Sequence, residues 1–226
     1  MGISFLIELQ LILCIQYMKW VNIFGTKQTF LLLVFSNLIL QLLITRYAIS
    51  KAPKDPEQRK NRWYTIGLFV VSFVLIMLMA FTMPIIIKFL LFCLFSTVIG
   101  FIIATRDFND AIIQTSFYGT LGIFILMGLL GSLLNIFGIN LGPRFGIGLF
   151  IGLLILILIS IFNLITGDLS HKLISSLVVF LFSIYILYDT NVILQRNYAG
   201  DFISASISYY LDIINVFNSL NIINSN

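Results

Sequence analysis

Seven long apolar stretches dominate this chain of 226 residues and restrict the folds that it can adopt. A helix needs about 20 apolar residues, at about 1.5 Å of rise each, to cross about 30 Å of hydrocarbon, and each stretch meets or approaches this length. Because hydrocarbon offers no partners to backbone N–H and C=O groups, we expect the spans to be helices. We predict spans near Phe30–Ser50, Tyr64–Met83, Phe89–Ala104, Ala111–Leu134, Phe145–Ile165, Leu173–Val192 and Phe202–Ile223.

The composition agrees with a membrane location. Hydrophobic residues make up 60% of the chain and charged residues 10%, whereas soluble domains carry about 25% charged residues. The connections between the apolar stretches are short, so neighbouring helices should be antiparallel and form one compact bundle. The sequence therefore predicts an all-α polytopic membrane protein, with residues 29–226 as a seven-helix membrane domain and the lipid bilayer as its first partner.

The first 28 residues are a separate segment. The apolar run of Met1–Met18 is interrupted by Glu8, Gln10 and Gln16, so an interfacial helix, a weak eighth span and an uncleaved targeting segment are all open interpretations. We favour the interfacial or cytosolic interpretation. The run has no basic start and no small-residue cleavage site, which argues against a removable signal peptide.

Positive charge is concentrated between the first two spans. The stretch from Lys51 to Arg62 carries five basic residues and two prolines, and the positive-inside tendency favours the cytosol for it. Single basic residues elsewhere lie on both sides, so the orientation stays open. The net charge of +4 favours anionic headgroups over nucleic acid, and no base-reading motif is present.

Cysteine and histidine usage does not favour a metal site or an enzyme. Cys14 and Cys93 lie in apolar stretches, match no metal-ligand spacing and are interpreted as packing residues. His171, the one histidine, stands in a short polar connection without a second histidine or a cysteine nearby. We interpret it as a surface residue and expect no cofactor.

Two aspartates lie inside the last two spans, Asp189 and Asp212. An ionisable side chain at the centre of a membrane costs about 2.5–3.5 kcal/mol even on lenient scales, so such residues are functional candidates by default. The alternative is that each aspartate lies near a span end, reaches water and forms only local hydrogen bonds. The residues alone leave both interpretations open.

Polar residues accompany both aspartates. In the last span the polar residues recur at steps of four, four, three and four, which places them on one helix face. They are Ser204, Ser208, Asp212, Asn215 and Ser219. In the sixth span, Tyr185 lies one turn before Asp189. Since a polar stripe in contact with lipid would leave its groups unpaired, we expect this face to point into the bundle or toward a water-lined path.

Two carboxyl groups in a low-dielectric site cannot both ionise at low cost, so such a pair tends to share a proton. Loss of that proton would separate the helices or attract a cation. Hard carboxylate oxygens suit Ca²⁺ in particular. Asp189 and Asp212 are therefore candidates for a Ca²⁺ path and a proton-sharing pH sensor.

Small residues recur along two of the spans and favour close packing of helices in lipid. They lie in the fourth and fifth spans: Gly119, Gly122, Gly128, Gly131, Gly148 and Gly152. A nucleotide site at Gly146–Gly148 is excluded, because no strand precedes it and no helix N-terminus offers free N–H groups to a phosphate.

The carboxy-terminal pattern resembles the signature of the Bax inhibitor-1 family, which includes the lifeguard and Golgi anti-apoptotic proteins. The pattern consists of Ile186–Thr190 and, 23 residues after Asp189, the Asp212 of Tyr210–Phe217. Weaker similarity is found at Gln41–Thr45 and in the stretch from Phe92 to Gly100. The resemblance covers the chain from about residue 28 to its end.

This resemblance implies a seven-helix bundle with the last helix central, which leaks Ca²⁺ in a pH-dependent way. Members lower stored Ca²⁺ and restrain apoptosis in the endoplasmic reticulum, the Golgi or the plasma membrane. The family's paired sensor aspartates correspond to Asp189 and Asp212, with a closed path when they are protonated and hydrogen-bonded to each other. A family arginine at the end of the second span is not matched near Thr82, and Lys88 is the nearest cation.

Two principal functions follow from the residues and the resemblance. The first is a Ca²⁺ leak channel gated by the aspartate pair, with Ca²⁺ and H⁺ as its ions. The second is a non-conducting anti-apoptotic scaffold that binds apoptosis-regulating membrane proteins. A proton-coupled transporter would need further polar groups at mid-membrane, and an intramembrane aspartyl protease is disfavoured because Asp212 follows Tyr-Leu and lacks the Gly-x-Gly-Asp context.

Overall fold

The computed structural model describes residues 27–53, 61–81, 84–106, 108–167, 169–195 and 201–225. This part of the chain forms seven helices. They are α1 (Lys27–Lys51), α2 (Arg62–Ala80), α3 (Ile85–Ala104), α4 (Asp110–Ile136), α5 (Pro143–Thr166), α6 (His171–Gln195) and α7 (Phe202–Asn224). Each predicted span coincides with one helix, and the largest difference at an end is that between Phe89 and Ile85. The predicted all-α fold is confirmed.

The predicted N-terminal segment falls mostly outside this part of the chain. Residues 1–26, including Cys14, lie outside the described residues, and α1 begins at Lys27. The division at residue 28 stays a prediction.

The last helix differs from the others in polarity. Among the described residues, six helices, α1 to α6, are long and apolar enough to cross a membrane. Helix α7 has 23 residues, which is enough length, but it is too polar to be one of the six. Asn224 is its only exposed residue, as expected for an inner helix, because a helix that is covered by protein does not need an apolar surface.

The described helices belong to two compact units. The first contains α1, α2 and α3 together with Ala199–Ile207, and the second contains α4, α5 and α6 together with Ser208–Asn226. The sequence of α7 therefore contributes its first turns to the first unit and the rest, including Asp212, to the second.

In the first unit, buried polar groups join α1 to α3. The Ser96 hydroxyl donates to Gln41 Oε1 at 2.9 Å, and the Thr45 hydroxyl lies 2.9 Å from the Gln41 carbonyl oxygen and 3.2 Å from that of Ser96. Gln41 and Ser96 are fully buried. The inward-facing polar groups of α1 and α3 thus form hydrogen bonds with each other, which they need because hydrocarbon offers no other partners. These contacts join the two stretches that carried the weaker family resemblance.

Close contact in the first unit depends on Gly100. A Cβ added there would lie 2.6 Å from both the Ala48 Cβ and the Thr45 carbonyl oxygen. Because one of these atoms belongs to the backbone of α1, no side-chain rotation could make room. The absent side chain of Gly100 is what allows α1 and α3 to approach.

The second unit uses glycine in the same way. A Cβ at Gly131 of α4 would lie 2.5 Å from the Leu187 carbonyl oxygen of α6, and one at Gly152 of α5 would lie 3.2 Å from Leu181. Gly119 faces Leu220 of α7 at 3.1 Å. The predicted packing role is confirmed at these three glycines.

At three other glycines, the predicted role in close helix packing is wrong or only weakly met. A Cβ added at Gly122 or Gly148 would meet no atom within 4 Å, and one at Gly128 would make an ordinary contact with Thr190 at 3.9 Å. The glycine spacing identified the helices that pack closely but did not identify every residue at the contact.

Gly100→Ala should destabilise the protein by about 1–3 kcal/mol, the usual cost of overpacking. In contrast, Gly67→Ala in α2 should be neutral or slightly stabilising, since a Cβ there meets nothing within 4 Å and alanine is the better helix former. Thermal unfolding in detergent micelles measures both. Equal stability of the two variants would contradict the packing role of Gly100.

Candidate functional site

Helix α6 holds Asp189 between two residues with fixed contacts. On one side, Thr190 is buried and accepts a hydrogen bond from the Tyr209 hydroxyl of α7 at 2.9 Å. On the other side, the Tyr188 ring lies 5.7 Å from that of Phe145, and Gly146 leaves the space that the Tyr188 hydroxyl fills. Asp189 itself is half-buried. Its position on α6 is therefore set by contacts with both α5 and α7.

Asn191 ties the connection between α4 and α5 to the same part of α6. Its Oδ1 atom accepts from the Leu141 N–H at 2.8 Å, and its Nδ2 atom donates to the carbonyl oxygens of Ile139 at 3.0 Å and Gly131 at 3.3 Å. Asn191 is fully buried. A free backbone N–H and a free carbonyl in this loop would otherwise need water, so Asn191, which directly follows the first part of the signature, serves the fold.

Asp212 lies on α7 and is 4% exposed. Its Oδ2 atom is buried and forms no hydrogen bond with any described residue. The same helix carries two further residues with such atoms, Asn218 at Oδ1 and Asn221 at both polar atoms. Buried polar groups in proteins are normally paired with protein or with ordered water. These atoms of α7 are therefore the places where water or a cation would find ligands, and Asn218 and Asn221 were not among the predicted site residues.

Asp189 on α6 and Asp212 on α7 lie within electrostatic range of each other. Ser208 of α7 lies near the Asp189 carboxyl. Tyr185 lies within electrostatic range of both carboxyls. Four of the predicted site residues therefore lie in the same part of the second unit, and their function as a site stays a prediction. Two negative charges at such a buried point would repel each other, whereas one shared proton would remove the repulsion.

The other residues of the predicted polar face have different surroundings. Ser219 is 6% exposed, and the Asn215 amide donates to the Leu211 carbonyl oxygen of its own helix at 2.8 Å. Ser204, two turns before Asp212, joins a separate group in the first unit. The stripe that the helical spacing predicted is therefore one face of α7 but not one site.

That separate group contains an ion pair between Lys88 of α3 and Asp201, which precedes α7. Lys88 Nζ lies 2.8 Å from Asp201 Oδ2 and donates to the Ser204 hydroxyl at 2.8 Å. Asp201 also accepts from the Ser204 N–H at 3.0 Å, which satisfies one of the free N–H groups at the helix start. Lys88 is the cation nearest in sequence to the unmatched position of the family arginine, and its partners in the structure are Asp201 and Ser204. The position of the missing arginine, near Thr82, lies outside the described residues.

The acidity of Asp201 reflects these partners. Burial alone would raise the pKa of its carboxyl, but hydrogen bonds from Lys88 and Ser204 and the charge of Lys88 hold the pKa below the usual value. The sequence contained one signal for this group, since an aspartate three residues before a serine at the start of an apolar run is typical of a helix N-cap. Nothing local indicated that Lys88, 113 residues earlier, would be its partner.

Among the described residues there is no group of three or more histidine, cysteine, aspartate or glutamate side chains that could hold a metal ion. His171 is exposed, as predicted. Two carboxyls with the hydroxyls of Ser208 and Tyr185 contain six oxygen atoms, which is the lower limit of the six to eight ligands of a Ca²⁺ site. A role for these oxygens in binding Ca²⁺ stays a prediction.

Comparison with known proteins finds a family model that matches most of the chain and relatives that match about a third of it. The family model described as inhibitor of apoptosis-promoting Bax1, the Bax inhibitor-1 family, matches residues 27–225. An uncharacterized membrane protein of Vibrio cholerae is 44% identical over 73 residues, which is 32% of this chain and 32% of the relative. Protein lifeguard 4 of Mus musculus is 40% identical over 75 residues, or 33% of this chain and 32% of the relative.

A similar match is found in Campylobacter jejuni, where an uncharacterized protein is 37% identical over 91 residues, 38% of this chain and 39% of the relative. The alignments thus span about a third of the length of these curated relatives.

Asp201→Asn should destabilise the protein more than Lys88→Met does. The side chain of Lys88 is 9% exposed and that of Asp201 is 39% exposed, so loss of Asp201 leaves a buried ammonium unpaired, whereas loss of Lys88 leaves a carboxylate that reaches water. Because Asp201 is partly screened by water, we expect about 1–2 kcal/mol for Asp201→Asn, below the about 3–5 kcal/mol of a fully buried pair.

Asparagine retains the capping ability of Asp201, so this variant isolates the charge. Chemical unfolding in micelles, with the double variant to complete the cycle, measures the coupling between the two side chains. Exposed Lys172→Met is the matched control. A larger loss of stability from Lys88→Met than from Asp201→Asn would contradict the assignment of Lys88 as the more buried partner of this ion pair.

The stability should also depend on pH through Asp201. A carboxyl with a lowered pKa in the folded state contributes stability above its unfolded value of about 3.9, and this contribution is lost as the pH falls through the folded value. Acidification from about pH 5 to about pH 3 should therefore lower the melting temperature of the wild type more than that of Asp201→Asn. Parallel curves for the two proteins would show that Asp201 is not stabilised by its partners.

Proposed function

The chain belongs to the Bax inhibitor-1 family, and on that premise we propose that it forms a pH-sensitive Ca²⁺ leak gated by Asp189 and Asp212. By lowering stored Ca²⁺, this leak would restrain apoptosis. An intracellular store membrane, the endoplasmic reticulum or the Golgi, is the location that this role requires, with the plasma membrane as the alternative.

One observation carries the proposal: two carboxyl groups on α6 and α7 lie close enough to interact, inside a membrane protein, and one has an unpaired buried oxygen. Stability does not explain such an arrangement, since each buried carboxyl costs several kcal/mol unless it is paired. Neither Asp189 nor Asp212 forms an ion pair with another described residue, in contrast to Asp201. A pair of this kind is expected where it performs a function.

The chemistry of the pair provides a gate. With one or two protons bound, the carboxyls can hydrogen-bond to each other and hold α6 and α7 together. When the protons leave, like charges repel and the same oxygens become ligands for a cation. The Tyr209–Thr190 hydrogen bond, one residue from Asp189, would keep the two helices in register while the carboxyls separate. Acid should therefore close the path and alkali should open it.

Unpaired polar atoms along α7 support a hydrated route beyond the pair. Asn218 and Asn221 follow Asp212 by about two and three turns and have buried atoms without partners among the described residues. Amide oxygens are suitable ligands for Ca²⁺ and for the water that accompanies it.

The bacterial relatives favour conduction over the scaffold. Bacteria have neither endoplasmic reticulum nor Bax-dependent apoptosis, yet proteins of Vibrio cholerae and Campylobacter jejuni are similar to this chain over 73 and 91 residues. A property that is common to them and to protein lifeguard 4 should belong to the membrane bundle itself. Binding to apoptosis-regulating membrane proteins would be an addition in hosts that have such partners.

Ca²⁺ efflux from liposomes that contain the purified protein tests the proposal. The wild type should release Ca²⁺ faster as the pH rises from about 5 to about 8, whereas Asp212→Asn should lose most of this pH response, because an amide cannot titrate. Asp110→Asn, an exposed acidic position in the first turn of α4, should respond like the wild type.

The scaffold would be supported instead if folded protein gave no flux above that of empty liposomes at any pH. Cell death assays would then be decisive, since a scaffold should protect cells equally well with Asp212→Asn. A wild-type flux whose pH response survives Asp212→Asn would retain the leak but remove the pair as its sensor.

A further inference from the structure

A cavity of about 450 Å³ lies between α1 and α3 in the first unit, and none of its lining residues belongs to the proposed gate. Ligand pockets in proteins commonly measure about 300–1,000 Å³. The lining comes from one face of each helix: Ile44, Tyr47, Ala48 and Lys51 on α1, and Leu90, Cys93, Leu94, Thr97 and Phe101 on α3. These residues recur at steps of three and four, so the cavity is a groove that runs along both helices.

The groove is apolar and open at its edges. Ile44 and Ala48 are 7% and 2% exposed and form its floor, whereas Tyr47, Leu90 and Leu94 are 47%, 46% and 57% exposed and form its rim. A floor of buried residues with rims at the protein surface is accessible from the membrane without any rearrangement.

The length of the groove matches one leaflet of a bilayer. Leu90 and Phe101 are 11 residues apart on α3, which corresponds to about 16 Å at about 1.5 Å per residue, or half of the about 30 Å hydrocarbon thickness. Lys51 ends α1, and α1 has 25 residues, so this end of the groove lies at the surface of the membrane. A single acyl chain has the chemistry and the length to fill such a groove.

Basic residues lie at the end of the groove that is at the membrane surface. Lys51 Nζ lies 5.6 Å from the centre of the Tyr47 ring, which holds the ammonium group over the mouth of the groove. Contacts of Gln41 with Cys93 and of Thr45 with Ser96 show that α1 and α3 run parallel. Arg106, just beyond the end of α3, is therefore on the same side.

The sequence continues this pattern, since Lys51 begins the stretch with five basic residues that ends at Arg62. Clusters of basic residues next to a span, and basic pockets between spans, attract anionic lipid headgroups.

We infer that this groove is a binding site for an anionic phospholipid, with one acyl chain along Ile44, Cys93 and Thr97 and the phosphate headgroup at Lys51. The inference goes beyond the proposed leak and does not depend on it, because none of these residues belongs to the aspartate pair. Charge complementarity selects an anionic lipid over a zwitterionic one, because the headgroup cation of a zwitterionic lipid offsets the attraction between its phosphate and Lys51.

Two readouts on the purified protein test the site. Native mass spectrometry measures how many lipid molecules bind to the protein. The two lipids compared are phosphatidylglycerol and phosphatidylcholine with identical acyl chains. The rate of Cys93 modification by a maleimide, in a Cys14→Ser background that leaves one thiol, reports whether the groove is filled. Phosphatidylglycerol should bind more tightly and should slow the modification of Cys93 at lower lipid concentrations.

Two substitutions test whether Lys51 binds the lipid headgroup. Lys51→Ala should weaken phosphatidylglycerol binding about five-fold, as expected for one basic residue at an anionic surface, and should leave phosphatidylcholine unchanged. Lys172→Ala, at an exposed position of α6, should change neither lipid.

Thr97→Phe should fill the groove and exclude both lipids. Ser176→Phe is its matched control, since both hydroxyls donate to a carbonyl oxygen four residues earlier. Retained melting temperatures establish that the variants are folded.

Equal affinity for the two lipids, or a Lys51→Ala variant that binds phosphatidylglycerol like the wild type, would overturn the inference. Protection of Cys93 that grows with protein concentration in the absence of added lipid would instead identify a second copy of this chain as the occupant.

Discussion

The absence of water from the hydrocarbon is the constraint on which the rest of this structure depends. Every polar group that the chain carries into the membrane must find a partner in protein or destabilise the fold. The described part of the chain meets this demand with short-range pairs. Gln41 bonds to Ser96, Asn191 bonds to the loop between α4 and α5, and Lys88 pairs with Asp201. Against this background, the unpaired Oδ2 atom of Asp212 is an exception that requires a functional explanation.

The same constraint explains why the helix that is not apolar enough to cross a membrane is the most enclosed. Helices in contact with lipid must be apolar on the surface that faces it, and α1 to α6 are long and apolar enough to cross a membrane. Helix α7 carries serine, asparagine and aspartate along its length and exposes only Asn224. Polar side chains on an enclosed helix can line a route for ions, whereas the same side chains facing lipid would only be costly. The position of Asp212 on this helix is therefore favourable for a gate.

Sequence reasoning predicted the features that repeat locally. Runs of about 20 apolar residues located all seven helices, and the helical period placed Ser208 and Asp212 on one face, where both lie near Asp189. Contacts between distant residues were not accessible in this way. No pattern in the chain indicates that Lys88 meets Asp201 or that Asn191 holds Leu141, because such pairs depend on how helices stack. The groove beside Lys51 likewise exists only once α1 and α3 are side by side.

The central claim is that Asp189 and Asp212 act as one proton-sharing unit, and the most direct test is a double-substitution cycle on the pH response of Ca²⁺ flux. Groups that act as a unit give strongly non-additive effects. We expect Asp189→Asn and Asp212→Asn each to remove most of the pH response and the double variant to be no worse than either. Additive losses, with each single variant retaining part of the response, would contradict a shared proton and would indicate two independent sites.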